Sequence, residues 1–355
     1  MIVTSLTLKN FRNHNYLSYD FHEGLNILTG PNGAGKTNVI EALYYLSLAR
    51  SFRVNEDESL ITNGKDTGEI DATIQEGKIK RRIRILFTKG NRKIFINDKP
   101  IKKISDLSKI TNVLLFEPKD VLLFKGLPKA RRNFLDVNIS KKSEPYLEYM
   151  SRYEKALKER NEILKADKIN VDLLNITTEM LVKLSGPIVS YRQMYVKDIN
   201  DILNKIARAL TGEDNKIELI YKPFVTYDHD FEKNALEAFK RAEDGDIRKR
   251  ATSIGVQRED FVTLFNGKDI AEYGSQGENR IVSIALKLSP YFLIEDKDKR
   301  PLIALDDVMS ELDRLHRNRL ITFLKKFEQA FISATRLEID GANHYKIKKK
   351  IKEVL

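Results

Sequence analysis

The chain has 355 residues, no cysteine, and 62 Lys+Arg against 51 Asp+Glu, a formal net charge of +11. The length predicts two or three domains or lobes, and the missing cysteine excludes disulfides, thiolate metal sites and cysteine nucleophiles. The basic excess favours a polyanionic partner, most simply nucleic acid.

Residues 1–126 are predicted to form an α/β lobe. Residues 1–8 alternate like a strand rather than a signal peptide, and no apolar run reaches the length of a bilayer-spanning helix. A soluble chain is therefore expected. The opening strand leads through Lys9-Asn10-Phe11-Arg12-Asn13-His14 into a second strand. A short buried strand, Leu25-Asn26-Ile27-Leu28-Thr29, then runs into Gly30-Pro31-Asn32-Gly33-Ala34-Gly35-Lys36-Thr37. Residues 38–46 follow with apolar side chains at helical spacing. The octapeptide fits G-x-x-x-x-G-K-[ST] in the strand–loop–helix setting of a phosphate-binding loop. Its glycines let backbone N–H groups turn onto phosphates, and the helix N-terminus adds partial positive charge. Lys36 is expected on the β/γ-phosphates and Thr37 on Mg²⁺. ATP or GTP binding is the expectation.

Beyond this loop, β-like runs at 69–74, 80–87 and 93–96 are split by Gly77 and Gly90-Asn91, the pattern of a meander. Between Lys78 and Lys103 eleven Lys or Arg face one acid, Asp98. Such a run is often a solvated strand face. Its density favours a phosphate-backbone surface, with Lys80, Arg81, Arg82, Arg84, Arg92 and Lys93 as candidate DNA contacts.

Residues 127–252 read as a helical lobe. Leu181, Ile188, Tyr195 and Ile202 recur every seven residues, with Leu184, Tyr191, Ile199 and Ile206 in the same stripe. Two long amphipathic helices, packed antiparallel and broken near 166–172, are predicted, with Gly186-Pro187 kinking or interrupting the second. The stripe is core, and it is too short for an extended coiled-coil arm. A strand near 216–225 and an amphipathic helix over 231–250 follow. The Lys-rich tail, 345–352, reads as a terminal helix or a frayed end.

Residues 253–355 are predicted to complete the ATPase lobe. Leu302-Ile303-Ala304-Leu305-Asp306-Asp307 is a buried strand ending in two acids, the pattern of a Walker B segment. Asp306 is expected to hold Mg²⁺, and Asp307, with Lys36, to be catalytic by orienting or deprotonating water. Lys36 and Asp306 lie 270 positions apart, so the head must be built from both chain ends around an insertion. Upstream, Ser275-Gln276-Gly277 opens a helical run where ABC-type ATPases carry their signature motif. There such a turn caps the γ-phosphate held by a second protomer. Ser310 and Asp313 fall where these ATPases have a D-loop at the dimer interface. Thr335 ends a strand at the switch position, able to bond a γ-phosphate but not to carry a proton. Glu117 and Asp120 are candidates for the Q-loop.

Together these residues resemble the RecF family, bacterial recombination and repair proteins of the SMC-like branch of ABC ATPases. The resemblance runs along nearly the whole chain. It rests on Lys9–His14, the Gly30–Thr37 loop and Ala49-Arg50-Ser51-Phe52-Arg53. It continues through Phe116-Glu117-Pro118-Lys119-Asp120, Arg131-Arg132-Asn133-Phe134-Leu135-Asp136, Ser275-Gln276-Gly277 and Leu305-Asp306-Asp307-Val308-Met309-Ser310-Glu311-Leu312-Asp313. Two stretches depart from the family pattern: Val256-Gln257 stands in place of Pro-His, and Glu278-Asn279 in place of Gln-Gln. The resemblance implies an α/β, ABC-type P-loop ATPase head with an inserted helical arm lobe. It implies Mg²⁺ and ATP held by Arg12, Gly30–Thr37 and Thr335, and a homodimer closed on ATP. It further implies slow hydrolysis, binding of double-stranded or gapped DNA, and action with RecR and RecO in loading RecA during repair and the SOS response. A nucleoid-associated, cytoplasmic location with no membrane partner goes with it. Two other classes use a phosphate loop, transporter ATPase subunits and small-molecule kinases. The helical insertion, the Asp-Asp pair, the missing switch histidine and the basic face weigh against the first, and the signature-like turn weighs against the second.

Overall fold

The computed structural model describes residues 1–348; positions 349–352 of the Lys-rich tail lie outside the described residues. The chain divides into two compact units. One comprises residues 1–120, 206–213 and those from 283 onward; the other comprises 121–205 and 214–282.

The first unit begins with β1 (Ile2–Phe11), β2 (His14–Asp20) and β3 (Gly24–Thr29), then α1 (Lys36–Leu48). Next come β4 (Thr67–Glu76), β5 (Ile79–Thr88), β6 (Asn91–Ile96), β7 (Lys99–Pro100), the short α2 (Ile104–Ser108) and β8 (Val113–Phe116). Six of these strands form an antiparallel sheet in the order β2-β1-β4-β5-β6-β7. Alternation sets its faces: Ile83, Ile85 and Phe87 of β5 are buried, while Lys80, Arg82 and Arg84 take the opposite face.

The second unit holds α3 (Pro128–Lys142), α4 (Glu144–Lys165) and most of α5 (Val171–Thr211). It continues with β9 (Ile217–Lys222), α6 (Phe231–Lys249), β10 (Asp260–Phe265), β11 (Lys268–Asp269), α7 (Ile270–Tyr273) and the first turns of α8 (Gln276–Phe292). Its three strands form a separate antiparallel sheet, β11-β10-β9. The stripe along α5 is core, with Leu181, Ile188, Tyr195 and Ile199 buried and Tyr191 and Ile202 half-buried. The expected interruption at Gly186-Pro187 does not occur: α5 runs through Pro187. Proline removes one N–H and crowds one carbonyl. The burial of Val182, Leu184, Ile188 and Val189 on both sides supplies packing that offsets this local cost.

The first unit then resumes with β12 (Leu302–Asp306), α9 (Arg314–Leu324), β13 (Gln329–Ala334) and β14 (Asn343–Lys346). The start of the tail is thus a strand, not a helix. Five strands build a parallel sheet, β14-β3-β13-β12-β8. Parallel strands buried on both faces read as continuous apolar runs, and every residue of β12 and β13 is buried. The register aligns Ile27 with Ile332, Ile332 with Leu305, and Leu305 with Phe116. Consequently the phosphate loop, Asp306, Thr335 and Glu117 all emerge at the carboxyl ends of these strands, where open α/β sheets place ligands. One apolar cluster joins Val39, Leu43 and Leu46 of α1 to residues of both sheets of this unit, and α1 is buried nearly all round, its polar side chains included.

The second unit is braced by buried charge. Arg160 and Asp246 are fully buried and 2.8 Å apart, and Arg160 also donates to Thr178 and Thr252 hydroxyls. Arg192 bridges Asp136 and Glu259 at 2.8 and 2.7 Å. Removing one partner strands the other charge in a dry core. Arg160→Ala is expected to destabilise the helical unit by about 3–5 kcal/mol, read as an earlier first transition in urea unfolding. A surface control, Arg241→Ala, should leave that transition in place.

Candidate nucleotide site

The phosphate loop joins β3 to α1 and is shaped by two close approaches. A Cβ at Gly30 would lie 2.3 Å from the Ile347 carbonyl oxygen, because Ile347 N–H donates to Thr29 O just beyond β14. A Cβ at Gly35 would lie 2.3 Å from His14 Nε2, and Gly35 has φ of 103°. Only glycine fits either place. The β1–β2 turn grips the loop from one side: Asn13 Nδ2 donates to Gly33 O at 3.0 Å, and His14 Nε2 lies 3.2 Å from Gly35 O. Asn38 Nδ2 ties Asn13 Oδ1 at 2.6 Å. Burial pushes the His14 pKa down.

Lys36 is buried, with Nζ 2.8 Å from Gly30 O and 3.1 Å from Pro31 O. Ala34 is buried beneath the loop, whereas Pro31 and Asn32 are exposed. Thr37 Oγ1 donates to Asp306 Oδ1 at 3.0 Å. This places together the two groups expected to hold Mg²⁺, a hydroxyl and one carboxylate. That donor set suits a hard cation arriving with phosphate oxygens. Burial pushes the Asp306 pKa up, opposed by hydrogen bonds from Ser333 and Thr37. Asp307 follows in the left-handed region at φ 49°. Its N–H donates to Ser333 Oγ at 2.9 Å, and Ser310 Oγ donates to Asp307 O at 2.9 Å. Thr335 Oγ1 reaches Asn32 Oδ1 at 3.1 Å, so the end of β13 meets the loop.

The loop borders a cleft of about 1270 Å³, whose walls include Arg12, Asn32, Lys36, Thr37, Arg53 and Asp307. Arg12 is committed to Glu41, with contacts of 2.9 and 2.6 Å, and to Ser59 O. Glu41 on α1 is fully buried and also receives Ser51 Oγ and, at 3.3 Å, Arg53. An ionised carboxylate in that position requires such partners. Asn13, Asn38, Glu41, Arg53 and Ser333 were not assigned roles from the sequence. A lone acid in the apolar face of α1 is the one signal that pointed to Glu41.

The remaining predicted residues divide between the units. In the first, Asp313 caps α9, accepting from Leu315 and His316 N–H, with His316 Nδ1 at 2.5 Å. Hydrogen bonds led by the His316 N–H hold its carboxyl down to about 2. Asp120 pairs with Lys287 at 2.7 Å and accepts from Glu117 N–H. In the second, Ser275, Gln276 and Gly277 are exposed at the N-terminus of α8. Glu278, one of the two residues departing from the family pattern there, completes a capping box. Ser275 N–H donates to its carboxylate at 2.8 Å, and its own N–H donates to Ser275 Oγ at 3.2 Å. The other departure is structural too: Gln257 accepts from Tyr153 OH, and Val256 O accepts from Arg192.

The six basic candidates do not share one face. Lys80, Arg82, Arg84 and Lys93 lie on the outer side of the antiparallel sheet, with Arg82 paired to Asp71 and Arg84 stacked on Phe95. Arg81 pairs with Glu76, and Arg92 turns inward to Asp57, Tyr45 OH and Ala49 O. Strand alternation separates residues that are adjacent in sequence.

The model of the RecF/RecN/SMC N-terminal domain matches residues 2–350. This chain belongs to the RecF family. It is 32% identical over 349 residues to the DNA replication and repair protein RecF of Lactobacillus johnsonii, covering 95% of this chain and 93% of that one. It is 35% identical over 345 residues to RecF of Lachnospira eligens, covering 95% and 93%. Among solved structures it is similar to the recombination mediator protein RecF of the RecFOR pathway. The RecF-ATP structure has a TM-score of 0.87 at 29% identity, covering 98% of this chain and 97% of that one. The Smc head from Pyrococcus furiosus, at TM-score 0.57 and 16% identity over 94% and 89% of the chains, shares the fold. The chain thus has the ABC-type, SMC-like head built from both chain ends, and the transporter alternative is not favoured. No helix among the described residues is long and apolar enough to cross a membrane.

A side chain at position 35 would strain the RecF-family loop by about 1–3 kcal/mol, equal to about 5- to 150-fold in Kd. Gly35→Ala is therefore expected to weaken binding of a fluorescent ATP analogue at least about fivefold with the melting temperature nearly unchanged. An unaltered Kd would show that the Asn13–His14 clamp does not shape the loop.

Proposed function

We propose that this RecF-family protein is an ATP-gated DNA-binding protein of recombinational repair. The observation that carries the reading is the Thr37–Asp306 bond inside an open cleft, which joins both halves of a Walker site in one unit. The likeness to RecF-ATP over nearly the whole chain supports ATP as the nucleotide. Lys36 neutralises phosphate charge, while Thr37 and Asp306 hold Mg²⁺, which when bound offsets charge developing on the phosphate oxygens. Asp307 takes the proton of the attacking water as the water oxygen bonds to the γ-phosphorus. The bond from the γ-phosphorus to the bridging oxygen breaks, and that oxygen leaves with its electron pair as part of ADP. Thr335 bonds the γ-phosphate or its water. Asp is one methylene shorter than Glu, so hydrolysis is slow, and the nucleotide behaves as a timer.

Two heads close on two ATP molecules, each Ser275-Gln276-Gly277 turn facing the other protomer's γ-phosphate and Ser310 and Asp313 crossing the interface. The exposure of that turn at a helix N-terminus supports this role. The residues of both chain ends, 1–126 and 253–355, serve as ATPase lobes, with 127–252 as the arm. Closed dimers grip double-stranded or gapped DNA through backbone phosphates, with Lys80, Arg82, Arg84 and Lys93 on the sheet's outer face as the contacts. Membership in a family whose solved relatives belong to the RecFOR pathway supports action with RecR and RecO in loading RecA.

Lys36→Ala is expected to abolish ATP binding and dimerisation, whereas Asp307→Asn should accumulate an ATP-bound dimer with tighter DNA binding. Sedimentation and duplex binding, each with and without ATP and at several salt concentrations, test this. ATP-dependent dimers coupled to binding with a steep salt slope are the expected result. A monomeric Asp307→Asn protein in saturating ATP would rule out the sandwich.

A further inference from the structure

We propose that Ser333 is a positioning residue for ATP hydrolysis, its hydroxyl setting the pose of Asp307. The inference rests on the ATPase reading above and deepens it. Ser333 is fully buried at the end of β13, in register with Asp306 across the parallel pair. Its hydroxyl uses both capacities at once. It donates to Asp306 Oδ1 at 2.6 Å and accepts the Asp307 N–H at 2.9 Å. No other side chain links the two acids in this way among the hydrogen bonds of the described residues.

The link matters because of the backbone at Asp307. A non-glycine residue at φ 49° sits in a sparsely populated region and persists only where its surroundings over-determine it. Here the restraint comes from both sides. Ser333 holds the N–H, while Ser310 Oγ holds the carbonyl at 2.9 Å and reaches Oδ1 at 3.3 Å. Ser310 is exposed and its segment is a short turn; Ser333 is part of a buried strand. The rigid anchor of the strained residue is therefore Ser333. Because the same hydroxyl bonds Asp306, which also accepts from Thr37, a shift at the cation-holding carboxylate is passed directly to the Asp307 backbone. Ser333 sits at the floor of the cleft with its hydroxyl committed to the two acids, so its role is to aim Asp307.

The test uses the full-length protein with wild type, Ser333→Ala, Ser333→Thr and Asp307→Asn in parallel. ATP turnover and binding of a fluorescent ATP analogue are measured on each. Misplacing a catalytic group by about 1 Å costs up to about 100-fold. Ser333→Ala should therefore lower kcat by about 10- to 100-fold, with the ATP Kd within about threefold of wild type, and Ser333→Thr should recover most of the rate. A wild-type kcat in Ser333→Ala overturns the proposal. So does parallel loss of ATP binding and turnover, which would make the residue structural, and so does a threonine variant that binds ATP but is as slow as alanine. If wild type hydrolyses no faster than Asp307→Asn, the ATPase reading itself fails, and the controls alone reveal it.

Discussion

The nucleotide site depends on one buried carboxylate. Asp306 ends a strand with no exposed residue, and taking its charge out of water is costly unless hydrogen bonds replace the lost solvent. Thr37 and Ser333 supply them from segments 269 and 27 positions away. The parallel register that stacks Leu305 beside Ile332 also sets Asp306 beside Ser333. Core packing and site geometry are therefore a single arrangement. A sheet that slipped by one residue would turn Asp306 to the other face and lose both bonds.

A second constraint acts on the phosphate loop itself. Its two ends are held by distant parts of the chain, Gly35 by His14 of the β1–β2 turn and Thr29, just before Gly30, by the Ile347 N–H. Behind the loop, the buried Glu41 gathers Arg12, Ser51 and Arg53. The two sequence stretches that accompany the phosphate loop in the family resemblance, Lys9–His14 and Ala49–Arg53, thus meet at one acid on α1. Their joint presence has a physical reason: a buried charge needs its partners, and the partners line the cleft.

The buried strands β3, β12 and β13, the meander and the phosphate loop were legible in the sequence because each follows from local period or from a motif with its own mechanism. Continuous apolar runs named β3, β12 and β13, and Gly77 and Gly90 marked the hairpins. What local pattern does not carry is compensation at a distance. Pro187 lies inside a helix because buried neighbours on either side of it hold the chain. Residues 343–346 form a strand because β3 offers an open edge, not because their own composition demands it. The basic run seemed one surface, yet pleating turns Arg92 into a structural bridge to Asp57 and leaves Lys80 and Lys93 outside. Ser333 gave no signal at all, since a serine at a strand end has many uses.

At the Ser275–Gly277 turn, for which we propose a phosphate-capping role, a departure from the family pattern is built into the local structure. Glu278 adds a negative charge at a helix N-terminus, which on electrostatic grounds opposes an incoming phosphate. Its position converts that charge into a cap. The carboxylate is spent on the Ser275 N–H, and the Glu278 N–H is satisfied by Ser275 Oγ. A serine hydroxyl has one donor and two acceptor sites, and the cap uses one acceptor. The O–H proton stays available to an external acceptor. Asn279, buried beneath, donates to the carbonyls of Gly274 and Ser275 and so fixes the turn from within. Glutamate and asparagine together hold the serine in one orientation. In the proposed role, the charge that counts against phosphate is the same charge that fixes the turn carrying Ser275.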